Sequence, residues 1–505
     1  MTAVAAPPSP PAAVRIHRDD NVGVALRPLA PGQAIDVAGM RVIVRDDIPA
    51  GHKLALQPID ANGLVVKYGF VIGQAIAPIS AGGWVHTHNL RTRLSGLEEY
   101  VYAPTRPVDA PGEPMPTFDG YRRAAGRVGT RNEVWILNTV GCVNFVAEGI
   151  AKTAAARAPE SVDGIHAFGH PFGCSQLGDD LAHTQAVLAG LLRNPNAGGV
   201  LVLGLGCENN QMEALLARAG DVDRSRIRFF NSQDVADERE SGVEAVAELL
   251  ARMSHDRREP VPASALMLGH KCGGSDGFSG ISANPLLGRV ADRLTALGGG
   301  VLLSEVPEMF GAEQLLMNRA ATPEVFRQLV DMINDFKSYF LRHGQTIHEN
   351  PSPGNTAGGL TTLEEKSLGA IQKGGRAAVT RVLRYGEQGT PGGLSLVEAP
   401  GNDGVSSTAM VASGATVLLF TTGRGTPLGF PVPTIKISSN SDIAARKPHW
   451  IDFNAGGLLD GTRSMDALSD DLFSFILDVA SGRRRTNNER QGYREIAIWK
   501  DGVTL

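Results

Sequence analysis

The chain has 505 residues, 42% of them hydrophobic and 20% charged, and its formal net charge is -5 at pH 7. This length predicts two or three domains, each able to bury most of its apolar surface. The negative charge argues against nucleic acid as a main partner, because no basic stripe is present to neutralise phosphates. No apolar run reaches the roughly 20 residues of a membrane span, so no membrane partner is predicted.

Cysteine usage and the N-terminus indicate the compartment. Four cysteines in a chain of this length do not make a disulfide framework. The first residues are rich in Ala and Pro and lack the basic and apolar regions of a secretory signal. Residues 1–12 are therefore predicted to be a disordered tail, and the protein is predicted to be cytoplasmic.

Residues 13–95 are predicted to form an all-β domain. Short β-rich runs at residues 40–44 and 64–68 are separated by turn signals such as Pro31-Gly32 and Asn62-Gly63. A small barrel-like or clip-like domain is the expected outcome.

The next segment, residues 96–120, is predicted to be a linker. Five prolines fall within 13 residues, which excludes a helix and disrupts a central strand. They are Pro104, Pro107, Pro111, Pro114 and Pro116. We therefore expect the first domain to fold separately from the rest or to hinge against it.

From residue 121 the sequence alternates between apolar strands and amphipathic helices. Buried-strand runs at residues 134–137 and 200–205 each precede a helical run, a pattern that predicts a parallel, doubly wound sheet for residues 121–258. Residues 259–505 show the same alternation of apolar strands and helices. The predicted fold class is thus α/β, with an all-β domain followed by two α/β parts whose sheets are mainly parallel.

One stretch of the last domain departs from this alternation. Residues 350–375 are rich in Gly, Ser and Pro and form a segment too long for a simple connection. Long loops in compact domains are usually functional or disordered, and we expect one of these here.

All four cysteines occupy equivalent places. Cys142, Cys174, Cys207 and Cys272 each close a predicted strand and open a glycine-rich turn. Ligands of open α/β sheets bind outside the carboxyl ends of the strands, so the four thiols are predicted to face one crevice edge. They are interpreted as iron ligands or as the lining of a polar pocket, with small buried hydrophobes as the alternative.

The β domain ends in His86-Thr87-His88-Asn89. On a strand, alternation would place His86 and His88 on one face, where both imidazoles could reach a single divalent cation. A surface pair without a ligand is the equal alternative.

Polar side chains also follow other predicted strands. Glycine-rich turns with Arg424 and Lys436 predict a cradle for a carboxylate, although ordinary surface cations are the alternative. The chain has no Walker loop, clean GxGxxG, GxSxG elbow or HExxH pair. These absences weaken the NTPase, dinucleotide-dependent dehydrogenase, serine hydrolase and zinc protease interpretations.

Together these motifs resemble the altronate/galactarate dehydratase family. The similarity runs in order from Val14 to Leu505, which makes it far more specific than any one motif. The stretches that carry it include Gly51-His52-Lys53, Val66-Lys67-Tyr68-Gly69, His86-Thr87-His88-Asn89, Gly173-Cys174-Ser175-Gln176, Gly206-Cys207-Glu208-Asn209-Asn210, Cys272-Gly273-Gly274-Ser275-Asp276, Ser304-Glu305-Val306-Pro307-Glu308 and residues 350–366.

The resemblance implies a β-clip domain of the SAF type followed by two α/β parts of unusual topology. It implies removal of water from D-altronate to give 2-dehydro-3-deoxy-D-gluconate, a step of hexuronate catabolism. It also implies a divalent metal, Fe2+ or alternatively Mn2+, while an iron–sulfur cluster stays open. His86 and His88 favour the altronate branch, whereas Thr356 and Ala455 stand where many relatives carry lysine and cysteine, so no role is transferred to them.

On this interpretation each candidate receives a role. His86 and His88 bind the metal, with the four cysteines as further candidates. The predicted substrate-binding residues are Ser275, Asn355, Arg424 and Lys436, and the acid/base candidates, without an order among them, are Glu208, Asp276, Glu305 and Lys366. The predicted partners are a small sugar acid and a second copy of the chain in a homodimer. Galactarate or another aldarate is the alternative substrate, and a non-catalytic sugar-acid-binding protein is the alternative of another class.

Overall fold

The computed structural model describes residues 11–105, 114–124 and 126–502. Most of the predicted tail, residues 1–10, and the proline-rich residues 106–113 lie outside the described residues. Within the described ranges, no helix combines the length and the apolar character needed to cross a bilayer.

The N-terminal domain is built of short antiparallel strands, as predicted. They pair in three small sheets, of order β1-β2-β5-β8, β3-β4 and β6-β7-β9. The strands are β1 (Ala13–Val14), β2 (Val22–Ala25), β3 (Ala34–Val37), β4 (Met40–Ile43), β5 (Lys53–Ala55), β6 (Leu64–Lys67), β7 (Phe70–Ala75), β8 (Trp84–Val85) and β9 (Leu90–Arg91). Alternation in β3 buries Ile35 and Val37, the period of a half-buried strand.

The predicted linker is partly structured at its end. The strand β10 (Thr117–Arg122) begins inside residues 96–120 and pairs with the strand after the second domain, β16 (Glu259–Pro262). Upstream, Tyr100 and Tyr102 pack against the C-terminal domain. Pro116 precedes β10, so the proline-rich stretch ends just where pairing begins.

The second domain is a doubly wound sheet, which confirms the predicted fold class. Its elements are β11 (Val128–Gly129), β12 (Glu133–Asn138), α1 (Asn144–Ala155), β13 (Gly164–Phe168), α2 (Gly178–Leu192), β14 (Ala197–Gly204), α3 (Met212–Ala219), β15 (Ile227–Asn231) and α4 (Glu238–Met253). Four parallel strands have the order β13-β12-β14-β15. Because side chains alternate along β12, Ile136 faces α1 and α4 while Trp135 faces α2 and α3.

The C-terminal domain has a seven-stranded parallel sheet of order β19-β20-β18-β17-β21-β22-β23. Its elements are β17 (Met267–Cys272), α5 (Ala283–Ala296), β18 (Gly300–Leu303), α6 (Glu313–Met317), α7 (Pro323–Arg342), α8 (Pro353–Ala357), α9 (Leu363–Ala370), β19 (Val379–Leu383), β20 (Gly393–Val397), α10 (Asp403–Ala412), β21 (Val417–Thr422), β22 (Thr434–Ser438), α11 (Ser441–Arg446), β23 (Phe453–Asn454), α12 (Met465–Ala480) and α13 (Asn487–Gln491).

One apolar core joins the two α/β domains. Val187 and Leu191 of α2 share it with Met410 of α10 and Leu418 of β21. The glycine-rich residues 350–375, expected to be a functional or disordered loop, fold instead into α8, α9 and a 3-10 turn. Ser352 and Thr362 cap these two helices through their hydroxyl groups, so local capping overrides the glycine content.

Candidate active site

A buried group of ionisable side chains lies at the carboxyl ends of β17 and β18. Cys272 is the last residue of β17, and Glu305 follows β18 in the left-handed region, with φ of 70°. Ligand atoms of Cys272, Glu305 and Glu308 all lie within 4.8 Å of one another. The strand ends therefore gather a thiol and two carboxylates at one point, as expected for a parallel sheet.

Three lysines hold these groups. The Lys373 ammonium lies 2.8 Å from the Cys272 sulfur and 2.7 Å from Glu305. Lys271 pairs with Glu305 and, at 2.8 Å, with Asp403 at the start of α10. Lys366 lies 2.8 Å from Glu308. We call Lys271, Cys272, Glu305, Glu308, Lys366 and Lys373 the acid/base cluster.

Burial and charge separate the two carboxylates of this cluster. Burial raises the pKa of Glu305 above its usual value. Burial alone would also raise the pKa of Glu308, but the ammonium groups of Lys366, Lys271 and Lys373 lower it to about 2. Burial and the neighbouring carboxylates raise the pKa of the Cys272 thiol to about 12. Neighbouring groups with opposite shifts are typical of acid/base centres.

This cluster suits proton transfer better than a divalent cation. Its ligand atoms are close enough together for one ion. Three ammonium groups, however, already bind the same carboxylate oxygens and would repel an incoming cation.

Asn355 connects two other predicted site residues, Lys366 and Ser275. Its side-chain oxygen accepts from the Lys366 ammonium at 3.1 Å, and its side-chain nitrogen donates to the Ser275 carbonyl at 2.9 Å. Asn355 also closes the capping box of α8 with Ser352. The capped helix therefore fixes the side chain that joins Lys366 to the loop after β17.

A cleft of about 710 Å3 opens beside this loop, between the β domain and the C-terminal domain. Asp276, Arg424 and Asn440 line it, together with Arg27 of the β domain. Hydrogen bonds hold the Asp276 carboxylate, from Asn440 at 3.0 Å and from the Ser439 hydroxyl at 2.9 Å. Burial nevertheless raises the pKa of Asp276.

Arg424 is an exposed cation of this cleft. Its backbone amide donates to the Gly274 carbonyl, which holds the loop after β21 against the loop after β17. The Arg424 side chain forms no ion pair with any described residue. The cleft thus offers a guanidinium to an anionic ligand beside the Asp276 carboxylate.

The His86-Thr87-His88 segment is a turn, not the strand that the sequence suggested. β8 ends at Val85, and Asn89 folds back to accept from the His86 amide at 2.9 Å. Alternation along a strand therefore does not explain the arrangement of the two rings. Both instead lie against Trp84, with ring centroids 5.0 Å away for His86 and 5.3 Å away for His88.

His86 has an open ligand position. Its Nδ1 is buried and has no hydrogen-bond partner among the described residues. Burial and the nearby Lys53 and His52 lower the pKa of His86 to about 4, so its imidazole is neutral at physiological pH. His52, 5.0 Å from His86 between ring centroids, also contacts the carbonyl of Ala357, the last residue of α8. The histidines therefore lie against the segment that carries Asn355.

A buried ion triad fixes the β domain to the C-terminal domain. Lys53 and Lys67 bind the two oxygens of Glu365 at 2.8 and 2.7 Å, and none of the three has significant exposure. The two ammonium groups outweigh burial and depress the pKa of Glu365. The β domain, which the sequence predicted to fold separately or to hinge, is thus joined to the C-terminal domain by these ion pairs.

The remaining candidates lie away from the cluster. Lys436 is buried on β22, donates to the Thr426 carbonyl at 2.7 Å, and so holds the Arg424 loop. Burial lowers the pKa of Lys436 to about 8. Glu208 belongs to the second domain, where its carboxylate accepts from Thr139 and from the Leu205 and Gly206 amides.

The four cysteines do not share one crevice edge. Cys142, Cys174 and Cys207 follow strands of the four-stranded sheet and are exposed, whereas Cys272 ends a strand of the seven-stranded sheet and is buried. The prediction of a single edge was wrong because equivalent positions along the sequence belong to two separate sheets.

Several residues of the site were not singled out from the sequence. Lys53, Lys67, Lys271, Glu308 and Glu365 lie inside the family-like stretches or beside them, which is the signal that could have found them. Lys373 lies after α9 in no such motif, and only the folded chain brings it to Cys272.

Comparison with known proteins agrees with this architecture. Three models match in chain order: the altronate/galactarate dehydratase SAF domain over residues 11–93, the second domain of D-galactarate dehydratase/altronate hydrolase over 120–254, and the C-terminal domain of D-galactarate/altronate dehydratase over 263–504. The chain belongs to the altronate/galactarate dehydratase family.

Relatives in this family differ in how similar they are to the chain. Altronate dehydratase of Bacillus subtilis (strain 168) is 49% identical over 494 residues, and that of Escherichia coli (strain K12) is 50% identical over 498 residues. Both comparisons cover 97% of this chain and 99% of the relative. The L-threo-forming galactarate dehydratase of Escherichia coli is 36% identical over 96% of each chain.

Proposed function

We propose that this chain is a hydro-lyase that removes water from D-altronate and gives 2-dehydro-3-deoxy-D-gluconate in hexuronate catabolism. The observation that carries the proposal is the identity of 49% and 50% to two altronate dehydratases, against 36% to a galactarate dehydratase, each over nearly the whole chain. A setting in the cytoplasm fits the four free thiols. The homodimer stays a prediction.

The reaction requires a base for the C2 proton and an acid for the C3 hydroxyl group. Asp276 is the proposed base, because it lines the cleft and its pKa is raised by burial. Lys366 is the proposed acid. Its ammonium group, near the edge of the cluster with 8% of the side chain exposed, would protonate the departing hydroxide. Asn355 bonds both to Lys366 and to the residue before Asp276, which would hold the acid and base in fixed relation.

Recognition of the substrate rests on charge. Arg424 is proposed to bind the C1 carboxylate, since charge-assisted and bidentate hydrogen bonds from a guanidinium suit a planar carboxylate. Lys436 would support this role by holding the Arg424 loop through the Thr426 carbonyl. Glu308 pairs with Lys366, and Glu305 and Lys373 lie beside Glu308. These two groups would therefore influence the charge near Lys366.

A divalent ion, Fe2+ or alternatively Mn2+, is proposed at His86 and His88. The unpartnered Nδ1 and the neutral ring of His86 fit a ligand role, and imidazole suits iron. When bound, the ion supplies Lewis-acid stabilisation of the enediolate that forms as the C2 proton leaves.

We expect His86→Ala and His88→Ala to lower metal content, while exposed His255→Ala keeps it. A His88→Ala protein with full metal content and activity would rule out this assignment.

The decisive assay compares turnover of D-altronate and galactarate by the purified, metal-supplied protein, with detection of the 2-keto product. Faster turnover of D-altronate supports the proposal. Faster turnover of galactarate or another aldarate would assign the chain to the alternative substrate. Absence of a 2-keto product from every sugar acid would favour the non-catalytic binding protein.

Hydrogen exchange at C2 separates the acid from the base. In deuterated water, Lys366→Met should still exchange the C2 proton of D-altronate but should not eliminate water. Asp276→Asn should lose both exchange and elimination. The opposite pattern would reverse the two roles.

A further inference from the structure

Three cysteines follow neighbouring strands at the carboxyl edge of the four-stranded sheet, outside the acid/base cluster. Cys174, Cys142 and Cys207 follow β13, β12 and β14, which are neighbours in that order, and all three are exposed free cysteines. Neighbouring strands are about 4.8 Å apart, so the strand order places the three cysteine-bearing loops side by side along this edge.

Hydrogen bonds join the three loops that carry these thiols. The Gly141 amide donates to the Phe172 carbonyl at 2.9 Å, and the Asn210 amide donates to the Gly173 carbonyl at 3.1 Å. The Asn210 side chain donates to the Thr139 carbonyl at 2.8 Å. A Cβ at Gly173 would lie only 2.1 Å from the Thr139 oxygen, so this close approach requires glycine. The loops thus form one hydrogen-bonded platform.

The surroundings of this platform favour an anionic ligand. α1, α2 and α3 begin two, four and five residues after Cys142, Cys174 and Cys207. Helix N-termini carry partial positive charge and unpaired amide groups, which stabilise bound anions. Gln176, buried in the Cys174 loop, accepts from the Gly173 amide, and its Nε2 donor has no partner among the described side chains and backbone. That donor is available to a ligand.

The spacing of the sulfurs excludes one ion bound to all three as they stand. In the described part of the chain, the one group of three His, Cys, Asp or Glu ligand atoms within 4.8 Å of one another is that of Cys272, Glu305 and Glu308. With metal–sulfur bonds of about 2.3 Å, two thiolates on the same ion are at most about 4.6 Å apart. In an iron–sulfur cluster, each thiolate binds a different iron, and a wider spacing is required.

We propose that Cys142, Cys174 and Cys207 bind a [4Fe–4S] cluster through three thiolates. The three thiols release three protons to solvent as their sulfurs bind three irons, and the fourth iron keeps a position for water or an oxygen ligand. The three helix N-termini and the Gln176 amide group stabilise the anionic cluster. This centre is separate from the ion at His86 and His88, and its presence does not depend on which sugar acid the chain accepts.

Reconstitution tests the site directly. The full chain is purified without oxygen and incubated with equal amounts of Fe2+ and Fe3+ and with sulfide, so that the cluster assembles with two ferrous and two ferric irons. It is then desalted and analysed for iron, acid-labile sulfide, visible absorption and electron paramagnetic resonance after reduction. We expect about four irons and four sulfides per chain. Cys142→Ser, Cys174→Ser or Cys207→Ser should each remove more than half of the iron and of the sulfide, whereas the matched Cys272→Ser protein should keep its cluster. Iron without sulfide, or equal loss in Cys272→Ser, would overturn the proposal.

The unsubstituted chain provides a second test, which does not depend on the folding of variants. In the reconstituted protein, Cys142, Cys174 and Cys207 should resist alkylation, and all three should react once a chelator has removed the iron. Mass spectrometry of the digested protein measures each site. Equal alkylation of the three thiols before and after iron removal would contradict the cluster.

Discussion

At the scale of single residues, buried ion pairs join the β domain to the C-terminal domain. Glu365 on α9 binds Lys53 and Lys67 of the β domain, and all three side chains are buried. Buried ion pairs are a weak source of net stability, but removal of one partner leaves charge without compensation in a low-dielectric interior. We therefore infer that the β domain packs correctly against the C-terminal domain only when all three charges of the triad are present.

Glu365→Gln tests this requirement. The substitution leaves two buried ammonium groups without a carboxylate, so we expect a loss of roughly 3–5 kcal/mol in the free energy of unfolding. Denaturant titration measures it. The control is Glu324→Gln, which removes an exposed ion pair with Arg327 and should cost about 1 kcal/mol or less. Equal effects of the two substitutions would contradict the structural role of the triad.

Arg424→Gln tests carboxylate recognition at the same scale. Loss of a charge-assisted hydrogen bond should lower kcat/KM for the sugar acid roughly 10- to 100-fold, mainly through KM. Steady-state kinetics measures the effect, with exposed Arg289→Gln as the matched control. An unchanged KM in Arg424→Gln would show that the substrate carboxylate binds elsewhere.

At the scale of elements, the β domain meets the C-terminal domain through glycine backbones. The loop after β17 approaches the turn before β5 so closely that a Cβ on Gly277 would lie 1.9 Å from the Gly51 carbonyl oxygen. The Gly277 amide also donates to the Gly358 carbonyl after α8 at 2.8 Å. Three elements from two domains therefore meet beside Asp276 with no room for side chains.

Gly277→Ala should separate these elements. Because the obstacle is backbone and not a flexible side chain, the β domain must shift, and we expect at least a 10-fold loss of kcat/KM with overall secondary structure retained. Kinetics and circular dichroism together measure this. The matched control is Gly354→Ala on α8, where a Cβ meets no atom within 4 Å. Full activity of Gly277→Ala would mean that the contact does not position the site.

At the scale of the whole molecule, the C-terminal segment ties the two α/β domains together. Glu489 of α13 binds Arg131, just before β12, through both oxygens at 2.6 and 3.0 Å. Burial would raise the pKa of Glu489, but Arg131 and neighbouring donors lower it from 4.5 to about 2.

This contact predicts a specific acid sensitivity. The folded-state pKa lies below the unfolded value, so the unfolded chain binds more protons between pH 4.5 and 2. The stabilisation is complete above pH 4.5 and is lost as pH falls through that window, by up to about 3 kcal/mol. Unfolding curves of Glu489→Gln should show a weaker pH dependence there than those of exposed Glu240→Gln. Identical slopes in the two variants would contradict the prediction.

The sequence predicted features that depend on local patterns. Strand and helix periodicity predicted the β domain, the parallel sheets and most helices, because alternation and amphipathic spacing are properties of short segments. The ordered series of motifs predicted the family, which the three domain matches confirm. Ser352 and Thr362, which cap α8 and α9, are a local signal for these two helices. The high glycine content of the segment nevertheless led to the prediction of a loop.

Tertiary structure decided which of these segments meet. Cys272 resembles the other three cysteines in sequence, but it ends a strand of the other sheet and meets Lys373, about a hundred residues away, at 2.8 Å. The ion triad likewise joins charges on β5, β6 and α9. Such pairs form because a buried charge needs a partner wherever packing places it, and no local pattern records which partner that is.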